Sequence, residues 1–336
     1  MSAKPARIFT DKEVSLGPLL DKTCATIGYG AQGRAHALNL RDSGIPVVVG
    51  LPQKSRSRLT ARRDGLRLTT TPAAVRRSDV LFLAVPDTRM ADIFRDEIGP
   101  ALRPGQTLVF AHGFAIHYRT IIPPNDVDVI MVAPKGLGPM VRSQFVAGHG
   151  VPCVIAIQQD VSGRARELAL AYAKAIGGTR AGVIETTFRE ETEADLFAEQ
   201  AVLCGGMSAL VEAGFEILVE AGYQPEVAYF ECLHELKFIV DLMHRAGISG
   251  MRARISETAK WGDVSVGPKI IDAHVKDRMK GELDRIRRGK FATDWLRETA
   301  TGKKRYQKLL RAGQKRLIEQ VGARLRQSMP WLDEES

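Results

Sequence analysis

The sequence predicts an α/β protein: a doubly wound, mostly parallel sheet in the N-terminal half and helices alone in the C-terminal half. Three observations predict it. Short apolar or β-branched runs alternate with amphipathic stretches, a glycine-rich turn follows the first of those runs directly, and the strand signal disappears after about residue 187. Near-continuous apolar strands joined by crossovers imply a sheet covered on both faces.

The runs at residues 23–27, 46–50, 80–85, 107–111, 128–133 and 151–157 read as buried strands. One helix is expected at 31–43, opening on the glycine turn, and another at 162–176, stopped by Gly177-Gly178. From 190 to 243, Ala, Leu, Glu and Met recur at helical spacing. The pattern is interrupted at Ala221-Gly222-Tyr223-Gln224-Pro225, a helix stop followed by a new start. The change of periodicity divides the chain into an α/β domain over 1–186 and a helical domain over 187–332.

At 336 residues, the chain has room for two domains of about 150 residues each. Its 44% hydrophobic and 26% charged residues exclude a disordered, collagen-like or disulfide-scaffold class. No stretch approaches the ~18 uninterrupted apolar residues of a membrane span, and residues 1–20 lack the apolar core of a signal peptide. A cytoplasmic protein with no membrane partner is expected. Cys24, Cys153, Cys204 and Cys232 form no Cys-x-x-Cys pair, which argues for buried thiols over a zinc site or disulfides. The net charge of +9 resides in one segment, since residues 276–326 hold 17 Lys or Arg against 6 Asp or Glu. Acids interspersed there, such as Glu282 and Asp284, favour a solvated helical surface over a nucleic-acid groove.

Gly28-Tyr29-Gly30-Ala31-Gln32-Gly33 sits between the first strand and the helix at 31–43, the context that makes this motif a dinucleotide turn. Gly28 permits the tight turn, Gly30 lets backbone approach a pyrophosphate, and Gly33 allows close helix–strand packing. The helix start offers unpaired N–H donors to the anion. An NAD site normally carries an acid at the end of the second strand. Here Lys54-Ser55-Arg56-Ser57-Arg58 stands in its place, cations and hydroxyls suited to a 2′-phosphate, so NADP(H) is favoured over a merely solvated basic loop.

Asp195 with Glu199, and Glu231 with Glu235, are acids at i and i+4 on one helix face. Their neighbours, Leu196, Phe197, Val202 and Leu203 in one case and Phe230, Leu233, Phe238 and Ile239 in the other, predict buried helices. Buried carboxylates must protonate, find cations or bind metal. Oxygen ligands without Cys or clustered His would select Mg²⁺ or Mn²⁺.

The combination of motifs resembles ketol-acid reductoisomerase, an enzyme of branched-chain amino acid synthesis, in its short class I form. The resemblance runs over residues 9–325. It is densest at 27–44, at Phe110-Ala111-His112-Gly113-Phe114, at Val132-Ala133-Pro134-Lys135-Gly136, at 195–206 and at 228–236. It implies a Rossmann domain that binds NADP(H) and a knotted all-helical domain that binds metal and substrate and dimerises. It also implies two Mg²⁺ held by Asp195, Glu199, Glu231 and Glu235. His112 would be the active-site histidine, Lys135 a motif lysine near the metals, and Ser256 a substrate contact. Acid–base work would fall to Glu235 or metal-bound water ahead of His112. Tyr29, Gly30, Ala31 and Gln32 would touch the cofactor on the turn, Ser55 and Ser57 its 2′-phosphate, and Asp87, Thr88, Arg89, Met90 and Gly138 its remainder. Glu231, Glu235 and Ser256 would reach a partner's site, making the active unit a homodimer or higher oligomer.

The implied reaction is alkyl migration in a 2-acetohydroxy acid, 2-acetolactate or 2-aceto-2-hydroxybutanoate, then NADPH reduction to a 2,3-dihydroxy acid. This sequence departs from the family's usual pattern in four respects. Pro52 stands where an arginine is common, Leu137-Gly138-Pro139 replaces Pro-Gly-His, Lys260 replaces an acid, and the terminal segment is basic in a generally acidic family. These departures keep a specialised paralogue in view. The competing readings are a simple NADP-dependent hydroxyacid dehydrogenase without paired metal carboxylates, and a non-catalytic nucleic-acid-binding homologue using the basic terminus.

Overall fold

The computed structural model describes residues 5–333. The chain divides into two units, Met1–Ala194 and Asp195–Ser336.

Among the described residues, the first unit holds nine strands: β1 Ile8–Phe9, β2 Cys24–Ile27, β3 Val47–Gly50, β4 Arg67–Thr69, β5 Val80–Leu83, β6 Thr107–Phe110, β7 Asp128–Pro134, β8 Cys153–Gln159 and β9 Val183–Glu185. They form one sheet in the order β1-β9-β8-β7-β6-β5-β2-β3-β4. β7–β8 and β1–β9 run antiparallel and the other neighbours parallel. Burial explains the near-continuous apolar runs. Alternation sends Phe82, Val109 and Ile130 into one core and Leu81, Leu83, Leu108 and Met131 into another, so both faces of the sheet are covered. The six expected strands are present. β1, β4 and β9 are two or three residues long and partly exposed, so they carry no apolar run that sequence could reveal.

The glycine turn feeds the helix Ala31–Asp42 from N-cap Gly30. A second helix, Ala165–Ala175, ends just before Gly177, which adopts φ 91°. β3 and β4 lie on one side of β2 while β5 and β6 lie on the other. The order therefore reverses at β2, where the glycine turn emerges, and such a switch point is where open α/β sheets bind ligands.

The second unit is helical. Its longer helices are Gly205–Glu220, Leu236–Arg252, Glu257–Ile270, Ala273–Arg287, Lys290–Ala300, Lys304–Gln314 and Leu317–Gln327. The break expected at 221–225 is present: Gly222 has φ 90° and Pro225 opens the short helix Pro225–Tyr229. The core is small, built mainly from Val211, Phe215, Ala228, Tyr229, Ile318 and Val321.

Two expectations are corrected here. The helices of the carboxylate pairs are not buried in the single chain, where Val202, Leu203, Leu210, Ile217, Phe238 and Val240 are exposed. The apolar surface that the sequence assigns to a core is surface one copy leaves uncovered. Only Cys24 and Cys153 are buried thiols; Cys204 is exposed and Cys232 half-buried, because they ride on those same helices. The stretch Phe188–Glu220 is also long and apolar enough to cross a membrane, at a mean hydropathy of 1.7 over its best window, although charged residues interrupt it. In the basic terminal segment, Lys280 pairs with Asp277 and Arg285 with both Glu282 and Asp294.

Candidate active site

A cleft of about 620 Å³ opens at the C-terminal ends of β2, β3, β5 and β6. Among the sequence-predicted residues, Gly28, Tyr29, Gly30, Ala31, Gln32, Ser55, Ser57, Asp87, Arg89, Met90 and His112 line it. Gly33, Thr88, Lys135 and Gly138 are not among its lining residues. The glycines divide by what surrounds them. Gly28 has φ 98°, and a Cβ there would stand 2.4 Å from the Ala84 carbonyl oxygen. At Gly33 a Cβ would meet the Gly28 carbonyl at 2.6 Å, which is the close helix–strand packing expected of it. A Cβ on Gly30 meets nothing within 4 Å. That open space at a helix start is what a pyrophosphate cradle requires.

Gly138 supports the turn from outside the cleft, since a Cβ there would stand 2.3 Å from the Ala31 backbone. Gln32 Nε2 donates to the Gly136 carbonyl at 2.9 Å, tying the turn to the loop after β7. Pro139 lies in the first turn of the helix Gly138–Val146, where a missing N–H costs nothing.

The basic loop after β3 is partly committed to its own scaffold. Arg58 donates to the carbonyls of Leu51 and Thr69 at 3.0 and 3.3 Å. Lys54 and Arg56 are exposed, Ser55 and Ser57 line the cleft, and Pro52 stands exposed beside them.

His112 and Lys135 follow β6 and β7, adjacent strands, so sheet topology brings them together. A residue overlooked in the sequence joins them. Glu191, on the helix Phe188–Ala198, has a side chain that is 1% exposed. Its carboxylate lies 3.1 Å from His112 Nδ1 and accepts from Lys135 Nζ at 2.7 Å and from the Gly113 N–H at 3.1 Å. Burial pushes this carboxyl up, but the hydrogen bond and charge of His112, with Lys135, outweigh it and hold it below the usual carboxylate range. Facing a carboxylate, Nδ1 carries the ring proton, so in the neutral ring Nε2 is the acceptor. The available signal was position: Glu191 precedes Asp195 by one helical turn.

In the second unit, Asp195 and Glu199 close the helix Phe188–Ala198 and open a π-helical turn, Glu199–Leu203. Glu231 lies in a second π turn, Phe230–His234, which Glu235 follows. Both pairs therefore coincide with π turns, which frequently mark functional sites. Asp195 is half-buried, whereas Glu199, Glu231 and Glu235 are exposed in the single chain. Ser256 caps the helix Glu257–Ile270, its Oγ accepting from the Ala259 N–H at 3.1 Å. Lys260 pairs with Glu257.

A switch-point cleft lined by a glycine turn and by a histidine that a buried carboxylate holds defines a dinucleotide-dependent oxidoreductase of Rossmann architecture. Residues 18–182 match the family described as acetohydroxy acid isomeroreductase, NADPH-binding domain, and residues 188–331 match ketol-acid reductoisomerase, C-terminal domain. The chain is 56% identical over 324 residues to the ketol-acid reductoisomerase (NADP(+)) of Saccharopolyspora erythraea, covering 96% of this chain and 98% of the relative. It is 52% identical to that of Petrotoga mobilis, covering 97% and 98%. A solved structure of an NADH-preferring ketol-acid reductoisomerase from an uncultured archaeon superposes with a TM-score of 0.93 at 45% identity, covering 96% and 98%. The chain belongs to the ketol-acid reductoisomerase family, enzymes that are at once oxidoreductases and isomerases in branched-chain amino acid biosynthesis.

Proposed function

We propose that the chain converts a 2-acetohydroxy acid, 2-acetolactate or 2-aceto-2-hydroxybutanoate, into a 2,3-dihydroxy acid with Mg²⁺ and NADPH. The observation that carries this reading is that one cleft is lined both by the glycine turn and by His112, whose ring is held by the same carboxylate that holds Lys135. Residues 1–186 would bind NADPH, and 187–332 metal, substrate and a second copy of the chain.

The donor set fits magnesium. Asp195, Glu199, Glu231 and Glu235 offer the hard carboxylate oxygens that this ion prefers, with no Cys or clustered His among them to favour a softer metal. Two Mg²⁺ held by them would act as Lewis acids on the carbonyl and hydroxyl oxygens during alkyl migration, and NADPH would supply the hydride. The chain's own residues do the rest. Backbone N–H groups at the start of the helix Ala31–Asp42 receive the pyrophosphate, and Ser55 and Ser57, with Lys54 and Arg56 beside them, receive the 2′-phosphate. Glu191 orients His112 and Lys135, Glu235 moves protons, and Ser256 keeps its O–H for the substrate while its oxygen caps a helix.

The uncovered apolar faces of the helical unit support a homodimer, with Glu231, Glu235 and Ser256 completing the partner's site. A second protein surface accounts for them better than lipid, because Asp195 and Glu199 interrupt the Phe188–Glu220 stretch and would be expensive in hydrocarbon. The acids paired along the basic terminal helices favour a solvated surface over a nucleic-acid partner, and a cytoplasmic location accords with this biosynthetic role. The test is NADPH oxidation with 2-acetolactate, with and without Mg²⁺, for the wild type and Glu231→Gln. Oxidation should require Mg²⁺ and collapse in the variant; full activity after chelation would eliminate the metal-assisted mechanism.

A further inference from the structure

The glycine turn contains a tyrosine whose hydroxyl is engaged by Asp64, a residue that does not line the cleft. Tyr29 is 6% exposed, with its ring packed among Leu38, Val49, Leu51, Ala61 and Leu66. Its hydroxyl donates to Asp64 Oδ2 at 2.7 Å. The same carboxylate takes a two-pronged contact from Arg34, Nε to Oδ2 at 2.8 Å and Nη2 to Oδ1 at 2.9 Å. The Asp64 carbonyl also accepts from Arg41 Nη1. Asp64 is itself the C-cap of the helix Ser57–Arg63, the element that begins with Ser57 in the cleft.

One residue thus joins three parts. Through Tyr29 it reaches the pyrophosphate turn, through Arg34 and Arg41 the helix behind that turn, and through its own backbone the helix that carries Ser57. We propose that Asp64 is a positioning residue for the dinucleotide, one that sets the Ser55–Ser57 hydroxyls at the right distance from the glycine turn and so selects a 2′-phosphorylated cofactor. The inference deepens, and rests on, the NADPH reading above. The carboxylate is fitted to the task. Arg34 neutralises it, so it adds no net repulsion toward a phosphate, and the planar two-pronged pair fixes direction as well as distance. A neutral amide cannot replace it, because its NH₂ would face donors on Arg34 or Tyr29.

The separation between the turn and the loop matters most to a ligand that must touch both. NADPH does so through its pyrophosphate and 2′-phosphate; NADH lacks the second anchor. The test is direct titration of the full-length protein with NADPH and with NADH, read by nicotinamide fluorescence, for wild type, Asp64→Asn and Tyr29→Phe. The Kd for NADPH should rise about tenfold in Asp64→Asn and less in Tyr29→Phe, which loses one of the bonds, while the Kd for NADH changes less than threefold. In turnover, the KM for NADPH should rise with kcat held. Equal weakening of both dinucleotides, or unchanged NADPH affinity in Asp64→Asn, would overturn the assignment and leave the NADPH reading standing. Wild-type protein that binds neither dinucleotide would overturn both.

Discussion

Glu191 accepts from three donors at once, and converting its carboxylate to an amide leaves at least one of them facing an NH₂. Glu191→Gln should therefore lower kcat by roughly 10²-fold or more, with the KM for NADPH little changed, because the residue orients His112 and Lys135 and does not line the cofactor cleft. Steady-state kinetics check this, and an unchanged kcat would remove Glu191 from the machinery. His36 poses a different problem. It is fully buried, stacked on Phe82 at 4.2 Å, with Nδ1 3.3 Å from the Tyr172 hydroxyl. Burial pushes its pKa down to about 3, against 6.5 in an unfolded chain. Between those values the unfolded state binds more protons than the folded one, so stability rises with pH across the window and is lost as pH falls below about 6.5. The slope is at most about 1.4 kcal/mol per pH unit from this residue. Urea unfolding at pH 7 and pH 5 should show that loss, and His36→Phe should flatten it; the same pH dependence in both proteins would acquit His36. Neither residue announces itself in sequence. Glu191 reads as one of several acids in the first turn of a helix, and His36 as one polar residue on an amphipathic one.

At the scale of elements, the glycine turn separates folding from binding within three residues. A methyl at Gly28 would collide with backbone at 2.4 Å and hold a non-glycine residue at positive φ, whereas a methyl at Gly30 meets nothing in the protein. Gly28→Ala should cost about 2 kcal/mol or more of stability. Gly30→Ala should melt within a degree or two of wild type yet bind NADPH at least tenfold more weakly. Thermal melts paired with fluorescence titration test both, and a Gly30→Ala protein with wild-type affinity would move the pyrophosphate elsewhere. The turn was legible because glycine spacing records a backbone requirement directly. The π turns were not. Asp195/Glu199 and Glu231/Glu235 read as ordinary i, i+4 pairs, and only hydrogen bonds such as Cys204 N–H to the Glu199 carbonyl, five residues back, reveal the wider turn. Gly205 and Gly206 follow the first of these, each at a point where a Cβ would strike a carbonyl five residues earlier, at 2.3 and 2.0 Å. The short strands β1, β4 and β9 escaped for a related reason, since pairing with a neighbour defines them and composition does not.

For the whole molecule, the helical unit carries more apolar surface than its own core can use. Leu210, Ile217, Phe238 and Trp261 are all exposed, against a core built mainly from six side chains. Monomeric proteins rarely expose such patches. The wild type should sediment as a dimer or larger assembly, and its melting temperature should rise with protein concentration. Leu210→Glu or Phe238→Glu should shift it toward monomer with loss of turnover but not of NADPH binding, since the cofactor cleft lies wholly in the first unit. A monomeric wild type with full activity would refute the shared site.

Residue order alone was enough for the class of fold, the dinucleotide turn and its likeness to one enzyme family, because apolar periodicity and glycine spacing are local imprints of burial and backbone geometry. Tertiary structure was needed for partnership: Asp64 meets Tyr29 from 35 positions away, and Glu191 gathers His112 and Lys135 across 79 and 56. It also showed that helices apolar enough to look like core lie on the surface of one chain, since periodicity reports that a face must be covered and is silent about which molecule covers it.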